Sequence, residues 1–247
     1  AICTGVARPR IAADAFRCRS CGPERARRGR HIVVTPELKP TLLPLGDRAL
    51  LVRFAETLSE AANRAAIALA RRLAAEPVPG VAEMAPGLVS VLLRVEQGSS
   101  LETVRREVML RLGGPEIAAP PARHEIAVSF DGEDLAEVAA ALRLTPASFV
   151  ARHNAQPLRV LATGFAPGFV YCGFHDAALL LPRREAVRPL VPAGTVLFAA
   201  GQTAIAATPI RTGWHILGRT AFQNFDPRKL PPTRLAAGDL VQFRRAA

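Results

Sequence analysis

Gln202 carries two N–H donors and one carbonyl acceptor on a single planar group, the set needed to read the edge of an amide or a lactam. Amide and carboxyl-transfer chemistry needs such donors aimed at a carbonyl as negative charge develops on its oxygen. Glycine turns at 164–168 and 192–194 let backbone amides approach a ligand closely. Arg219 could clamp a substrate carboxylate through two parallel N–H···O bonds. His153 or His215 could serve as general acid or base. Each residue also has a plain structural reading. Gln202 can cap a loop, Arg219 can hold a surface carboxylate, and His153 at a helix end suits the helix dipole. Phe165, Phe169 and Tyr171 can be core or pocket wall. Trp214 and Ile216 face one side of a strand and His215 the other, so only one set can meet a ligand.

The four cysteines stand at 3, 18, 21 and 172. Cys18 and Cys21 have CxxC spacing, with Cys3 and His31 nearby, but the arginine-rich setting without apolar periodicity opposes a zinc or redox role. Cys172 lies in an apolar stretch and is expected to be packed. Cys172 and His175 have a metal-like spacing, yet two ligands do not make a site, and no metal is predicted. The chain has no GxxxxGK[ST] phosphate loop and no GxSxG elbow. Neither Met84 nor Met109 precedes a lysine, so no biotin-attachment pair exists. ATP or biotin, if used, must be bound with or carried by partner subunits.

The elements that must position these residues fall into two groups. A strand over 49–54 follows the Gly46-Asp47 turn. Ser59 then caps a helix with Ala62, Ala66, Leu69 and Leu73 at helical spacing, stopped by Pro77. Strands over 81–85 and 89–95 come next. Ser100 caps a second helix whose buried stripe is Leu101, Val104, Val108 and Leu112, ended by Gly113-Gly114. This order predicts a small α+β sandwich with helices on one face of an antiparallel sheet. After a Gly/Pro-rich break, a strand over 125–130 leads to a helix over 133–142. A second helix starts at Thr145-Pro146 and runs to 155. Short β-prone runs at 160–165, 196–200, 204–207, 214–217 and 240–243 predict a mainly-β barrel or sandwich.

The net charge of +11 is concentrated at the front, where residues 1–39 hold nine Lys/Arg against three Asp/Glu. That segment lacks the interleaved aromatics of a single-strand platform, and no DNA-binding motif follows it, so nucleic acid is not an expected partner. No apolar run approaches the ~20 residues of a membrane helix, and the start lacks a secretory layout. A cytoplasmic protein is expected.

The most specific signal is an ordered set of motifs. Gly164-Phe165-Ala166-Pro167-Gly168-Phe169-Val170-Tyr171 resembles the GFxPGFxY signature of the family of allophanate hydrolase subunit 1 and the 5-oxoprolinase B subunit, which also contains a sporulation kinase inhibitor. Val191-Pro192-Ala193-Gly194-Thr195, Gly201-Gln202-Thr203, and the run from Gly213-Trp214-His215 to Gly218-Arg219-Thr220 resemble further family segments. So do Phe225-Asp226-Pro227, the Leu235–Asp239 turn and Arg152-His153-Asn154, in order, from about residue 42 to the end. Between Thr203 and Trp214 the family's GIYP and SPGG are replaced, with Arg211 gained. Phe174-His175 stands in place of Gly-Leu.

The resemblance implies an α+β N-terminal domain over 42–118 and a cyclophilin-like β-barrel over 122–247, with residues 1–41 a disordered or spurious extension. It implies a subunit of an ATP-dependent 5-oxoprolinase-type amide hydrolase that is inactive alone. The partners would be a homologous second subunit, of the allophanate hydrolase subunit 2 or 5-oxoprolinase C-subunit type, together with the 5-oxoprolinase A subunit. The alternatives are the carboxyltransferase half of a biotin-dependent urea or amide carboxylase, and a histidine-kinase inhibitor acting by binding. The expected catalytic residues are Gln202, His153 and His215. Gly164, Phe165, Pro167, Gly168, Tyr171, Thr203, Trp214 and Arg219 are expected to bind a small amide or lactam.

Overall fold

The computed structural model describes residues 38–112 and 120–246, which belong to one compact unit beginning at Glu37. The expectations placed on residues 1–37, including the Cys18/Cys21 pair, lie outside the described residues.

The first group of elements is an antiparallel sheet under two helices. The elements are β1 (Thr41–Leu45), β2 (Ala49–Arg53), α1 (Glu60–Ala75), β3 (Val81–Pro86), β4 (Ser90–Val95) and α2 (Leu101–Arg111). The strand order is β1-β2-β4-β3. Both helices start as their sequences predict: the Ser59 hydroxyl accepts from the Ala62 amide and the Ser100 hydroxyl from the Thr103 amide. Ala66, Leu69 and Leu73 of α1 meet Leu50, Val52, Val91 and Leu93 of the sheet in one buried cluster. Strand β1 was not expected. It contains Pro44 and is half exposed, an edge strand with little apolar alternation to announce it.

The second group is a curled, mixed seven-stranded sheet with two short helices. It contains β5 (Arg123–Val128), α3 (Leu135–Ala141), α4 (Pro146–His153), β6 (Leu158–Thr163), β7 (Val170–Gly173), β8 (Arg188–Val191), β9 (Thr195–Ala199), β10 (Gln202–Ile205), β11 (Ile210–Thr212), β12 (His215–Arg219) and β13 (Leu240–Arg245). The order is β12-β9-β10-β7-β6-β13-β5, with β8 and β11 forming a separate antiparallel pair. Among the described strands only β13 and β5 pair in parallel. The strand expected over 204–207 begins two residues earlier, so Gln202 and Thr203 are ladder residues rather than loop residues.

The sheet curls until its two edges meet. Just past β5, the Ser129 amide donates to the Arg219 carbonyl at 2.9 Å, and the Arg219 amide returns the bond to Ser129 at 3.0 Å. Gly218 makes this approach possible, because a Cβ there would stand 2.0 Å from the Ser129 carbonyl oxygen. Thr220 adds a hydroxyl bond to the Ala127 carbonyl at 2.7 Å. The Gly218-Arg219-Thr220 run therefore forms the seam of the curl.

The strands have alternating faces. Val170, Cys172, Val196, Phe198, Ile205 and Leu217 point inward, against α3 and α4. Phe169, Leu197, Ala199, Ala204 and Trp214 point outward into a smaller cluster closed by β8 and β11. The two sheets are tied by Asn63 of α1, which donates to the carbonyls of Leu88 at 2.8 Å and Leu161 at 2.9 Å. No helix among the described residues is long and apolar enough to cross a membrane.

Candidate functional site

The curl separates the expected site residues into two sets. Gln202 is the cross-strand partner of Ala199, lies beside Gly173, and shares the outer face with Ala204 and Tyr171. Thr203, one residue on, points into the core.

On the inner face, His153 ends α4 and is fully buried. Its Nδ1 lies 2.7 Å from Asn154 Oδ1, and its Nε2 lies 2.7 Å from Thr203 Oγ1. An amide oxygen only accepts, which assigns the proton to Nδ1 and makes Nε2 an acceptor for the Thr203 hydroxyl. The same hydroxyl oxygen accepts from Nε2–H of His175 at 2.8 Å. The result is a directed chain from His175 through Thr203 and His153 to Asn154. Burial pushes the His153 pKa down to about 4, against the opposing bond to Asn154. Burial, then the charge of His153, takes His175 down to about 3. Both rings are neutral at pH 7, and both nitrogens of His153 are spent. Burial also raises Cys172 to about 12, so its thiol is an inert packing group.

His215 lies on β12 opposite Phe198 and is also buried. Its Nε2 donates to the Pro182 carbonyl at 3.1 Å, while Nδ1 is buried without a hydrogen-bond partner among the described residues. It anchors the segment entering β8.

The outer face is aromatic. Phe169 and Tyr171 have ring centroids 4.8 Å apart, and Tyr171 and Trp214 are 5.9 Å apart, both edge to face. Phe165 stands 5.5 Å from Phe169 yet is 76% exposed, held outward at φ 78°. The 164–168 turn is fixed from below. Gly168, at φ 68°, has no room for a Cβ, which would come 2.5 Å from the Phe225 Cβ. Its carbonyl accepts from the buried Asn224 at 2.8 Å, and Asn224 in turn accepts from the Leu235 amide at 2.9 Å. Pro167 is exposed at the tip. The Gln202 carboxamide oxygen is buried without a hydrogen-bond partner among the described residues. Burial raises the Tyr171 pKa, with the Arg183 charge opposing.

Arg219 stands apart from both sets. Its side chain is 76% exposed at the seam and pairs with Asp131 at 2.8 Å. Three residues now prominent carry no expectation from the sequence, namely Asn224, Asp134 and Arg183, and His175 enters there only through its metal-like spacing to Cys172 and as a departure from the family pattern. Asn224 immediately precedes the Phe225-Asp226-Pro227 motif, which was its one available signal. Among the described residues no group of three or more His, Cys, Asp or Glu is arranged to hold a metal ion.

This architecture, helices with a curled mixed sheet, is also that of Kluyveromyces lactis urea carboxylase. That structure superposes with a TM-score of 0.65 over 84% of this chain and 22% of its own, at 15% identity. The crystal structure of TTHA0988 superposes with a TM-score of 0.73 at 38% identity, over 81% of this chain. This chain spans 40% of the length of that protein. In sequence, the chain is 35% identical over 219 residues to the 5-oxoprolinase B subunit of Bacillus subtilis (strain 168), covering 81% of this chain and 90% of the relative. The family model for the carboxyltransferase domain, subdomain C and D, matches residues 40–235. The chain belongs to this carboxyltransferase-domain family.

Proposed function

We propose that the chain is a subunit of an ATP-dependent 5-oxoprolinase-type amide hydrolase, and that its outer sheet face is half of a site shared with a homologous second subunit. The observation that carries this reading is the Gln202 carboxamide. Its oxygen is buried and unpartnered beside an aromatic face, within a chain 35% identical to a 5-oxoprolinase B subunit. A buried acceptor without a partner costs about 1–3 kcal/mol, and a lactam N–H supplies the missing donor. The substrate would lie on Tyr171 and Trp214, with the 164–168 turn above it. Thr203, His153 and His215 would act from behind the sheet by holding β10 and β12 in register. Nucleotide chemistry falls to the partner subunits. The curled sheet, closed at Ser129 and Arg219, is read as the family's cyclophilin-like barrel over 122–247, and the helix-covered sheet as the α+β domain over 42–118.

The test is co-expression with the 5-oxoprolinase A subunit plus the homologous second subunit, following ATP-dependent glutamate release from 5-oxo-L-proline. Release should require this chain and fall at least ~100-fold in Gln202→Ala. A well-formed complex without release would sink the assignment. Exposed Phe165 and Val187 beside the aromatic face also suit docking of a sensor kinase. In that case kinase inhibition would persist in Gln202→Ala.

A further inference from the structure

The arginine expected to clamp a substrate carboxylate, Arg219, is engaged by Asp131 at the seam. Three other arginines lie on the segment that wraps the β12 edge, and two of them are also engaged. Arg184 reaches Asp134 Oδ1 at 2.8 Å and Arg188 reaches the same oxygen at 2.6 Å. The third, Arg183, is different. Its guanidinium carbon stands 5.5 Å over the Trp214 ring, and it pairs with no carboxylate among the described residues.

The backbone on both sides of Arg183 is fixed. Before it, the Pro182 carbonyl accepts from His215 Nε2 at 3.1 Å. After it, the Arg184 amide donates to the Gly213 carbonyl at 2.8 Å while the Arg184 side chain is held by Asp134. An exposed, charged fork on an anchored backbone is thus placed over an aromatic ring. Its charge also reaches Tyr171, where it opposes the effect of burial on the phenol. Tyr171 and Trp214 are the two rings on which the proposed substrate would lie.

We propose that Arg183, held over the Trp214 ring, is the specificity-determining residue that binds the free carboxylate of a small lactam or amide substrate on the outer sheet face. This rests on the placement of the substrate site on that face. A guanidinium without an acidic partner is the group that matches a planar carboxylate with two parallel N–H donors. The cation–π contact with Trp214 holds the charge of the fork over the outer face, where the ligand would lie. A substrate lacking the carboxylate would lose this contact and keep the others.

Trp214 is the sole tryptophan of the chain and reports directly on its own face. The full chain is titrated with 5-oxo-L-proline and with pyrrolidin-2-one, the same ring without the carboxylate, following tryptophan emission. A saturable change is expected with the acid alone, weakened roughly 10- to 100-fold in Arg183→Met and partly restored in Arg183→Lys. In the co-expressed complex, Arg183→Met should raise KM for 5-oxo-L-proline by a similar factor and leave kcat within about threefold. Equal emission responses to the two ligands, no response to either, or unchanged binding in Arg183→Met would overturn the clamp. Turnover lost in Gln202→Ala but with unchanged KM in Arg183→Met would overturn the clamp and leave the hydrolase reading standing. A complex without turnover would overturn the hydrolase reading, and the emission titration would then decide the clamp alone.

Discussion

On the inner face of the curled sheet, one hydroxyl, that of Thr203, serves two histidines, and the chain of bonds ends on the Asn154 carboxamide oxygen with both nitrogens of His153 used. On the outer face, its sequence neighbour Gln202 keeps a buried carbonyl oxygen that no described residue reaches. Arg183, on the same side, keeps a charge that no described carboxylate answers. Both faces bury aromatic rings, so apolar packing does not distinguish them. Polar satisfaction separates the Thr203 network from Gln202, although His215 Nδ1 on the inner side of β12 is also buried without a partner among the described residues. A network built only for stability closes its hydrogen bonds, because each one left open costs free energy. On the proposed reading, an outside ligand on the outer face would complete the set that Gln202 and Arg183 leave open.

The largest break in this contrast should come at Asp134, which links the two faces. Its carboxylate holds Arg184 and Arg188 on one oxygen and the Ile216 amide, 2.7 Å away, on the other. Asp134→Ala removes the acceptor that two cations share, leaving Arg188 with Glu133 and Arg184 with the more distant Glu137, and strands the Ile216 amide at the edge strand. Breaking a buried ion pair costs ~3–5 kcal/mol, and the partial exposure of both arginines places the expected loss near ~3 kcal/mol. Urea unfolding measures it, and a loss under ~1 kcal/mol would show that the segment entering β8 is held by packing instead.

A somewhat smaller effect should appear with pH. The folded pKa values of His153 and His175 are depressed to about 4 and about 3, while the unfolded chain titrates near 6.5. Between those values the unfolded state binds the extra protons. Stability is therefore full above pH ~6.5, and falls as pH drops toward 4 and then 3, by up to ~1.4 kcal/mol per pH unit for each ring. At pH 5.5 the two together remove roughly 2–3 kcal/mol. In His175→Leu the slope should be about halved. An identical slope in the variant would show that His175 is not part of the acid response.

These energetic features were unevenly legible in the sequence. The helices α1 and α2 announce themselves through Ser59, Ser100 and an apolar stripe at regular spacing, because a helix is a local object. The motif residues Gly164 to Tyr171 and Gly213 to Thr220 identify the family, yet their jobs depend on contacts distant in sequence. Gly218 matters because Ser129 passes over it, 89 positions earlier in the chain. His153 looked like a helix-dipole residue until Thr203 and His175 arrived beside it from two other strands and loops. Spacing alone could say that Trp214 and His215 face opposite ways, but not which face was core. Arg183 and Arg184 are adjacent and chemically alike, and only the position of Asp134 separates the engaged arginine from the open one.

The sharpest test of the contrast is a pair of neighbouring substitutions on opposite faces. Thr203→Val keeps the shape and removes the hydroxyl, leaving Nε2 of both histidines without a partner in the core. That should cost ~1–3 kcal/mol. Gln202→Met keeps roughly the length and removes a buried acceptor that has no partner. It should leave stability unchanged or raise it by up to ~1 kcal/mol, while abolishing lactam turnover in the complex. Opposite signs at adjacent residues are expected because β10 exposes one residue to a closed network and the next to an open one. If Gln202→Met were as destabilising as Thr203→Val, the carboxamide would be a structural group satisfied within the fold. The outer face would then lose its claim to be the ligand side of the sheet.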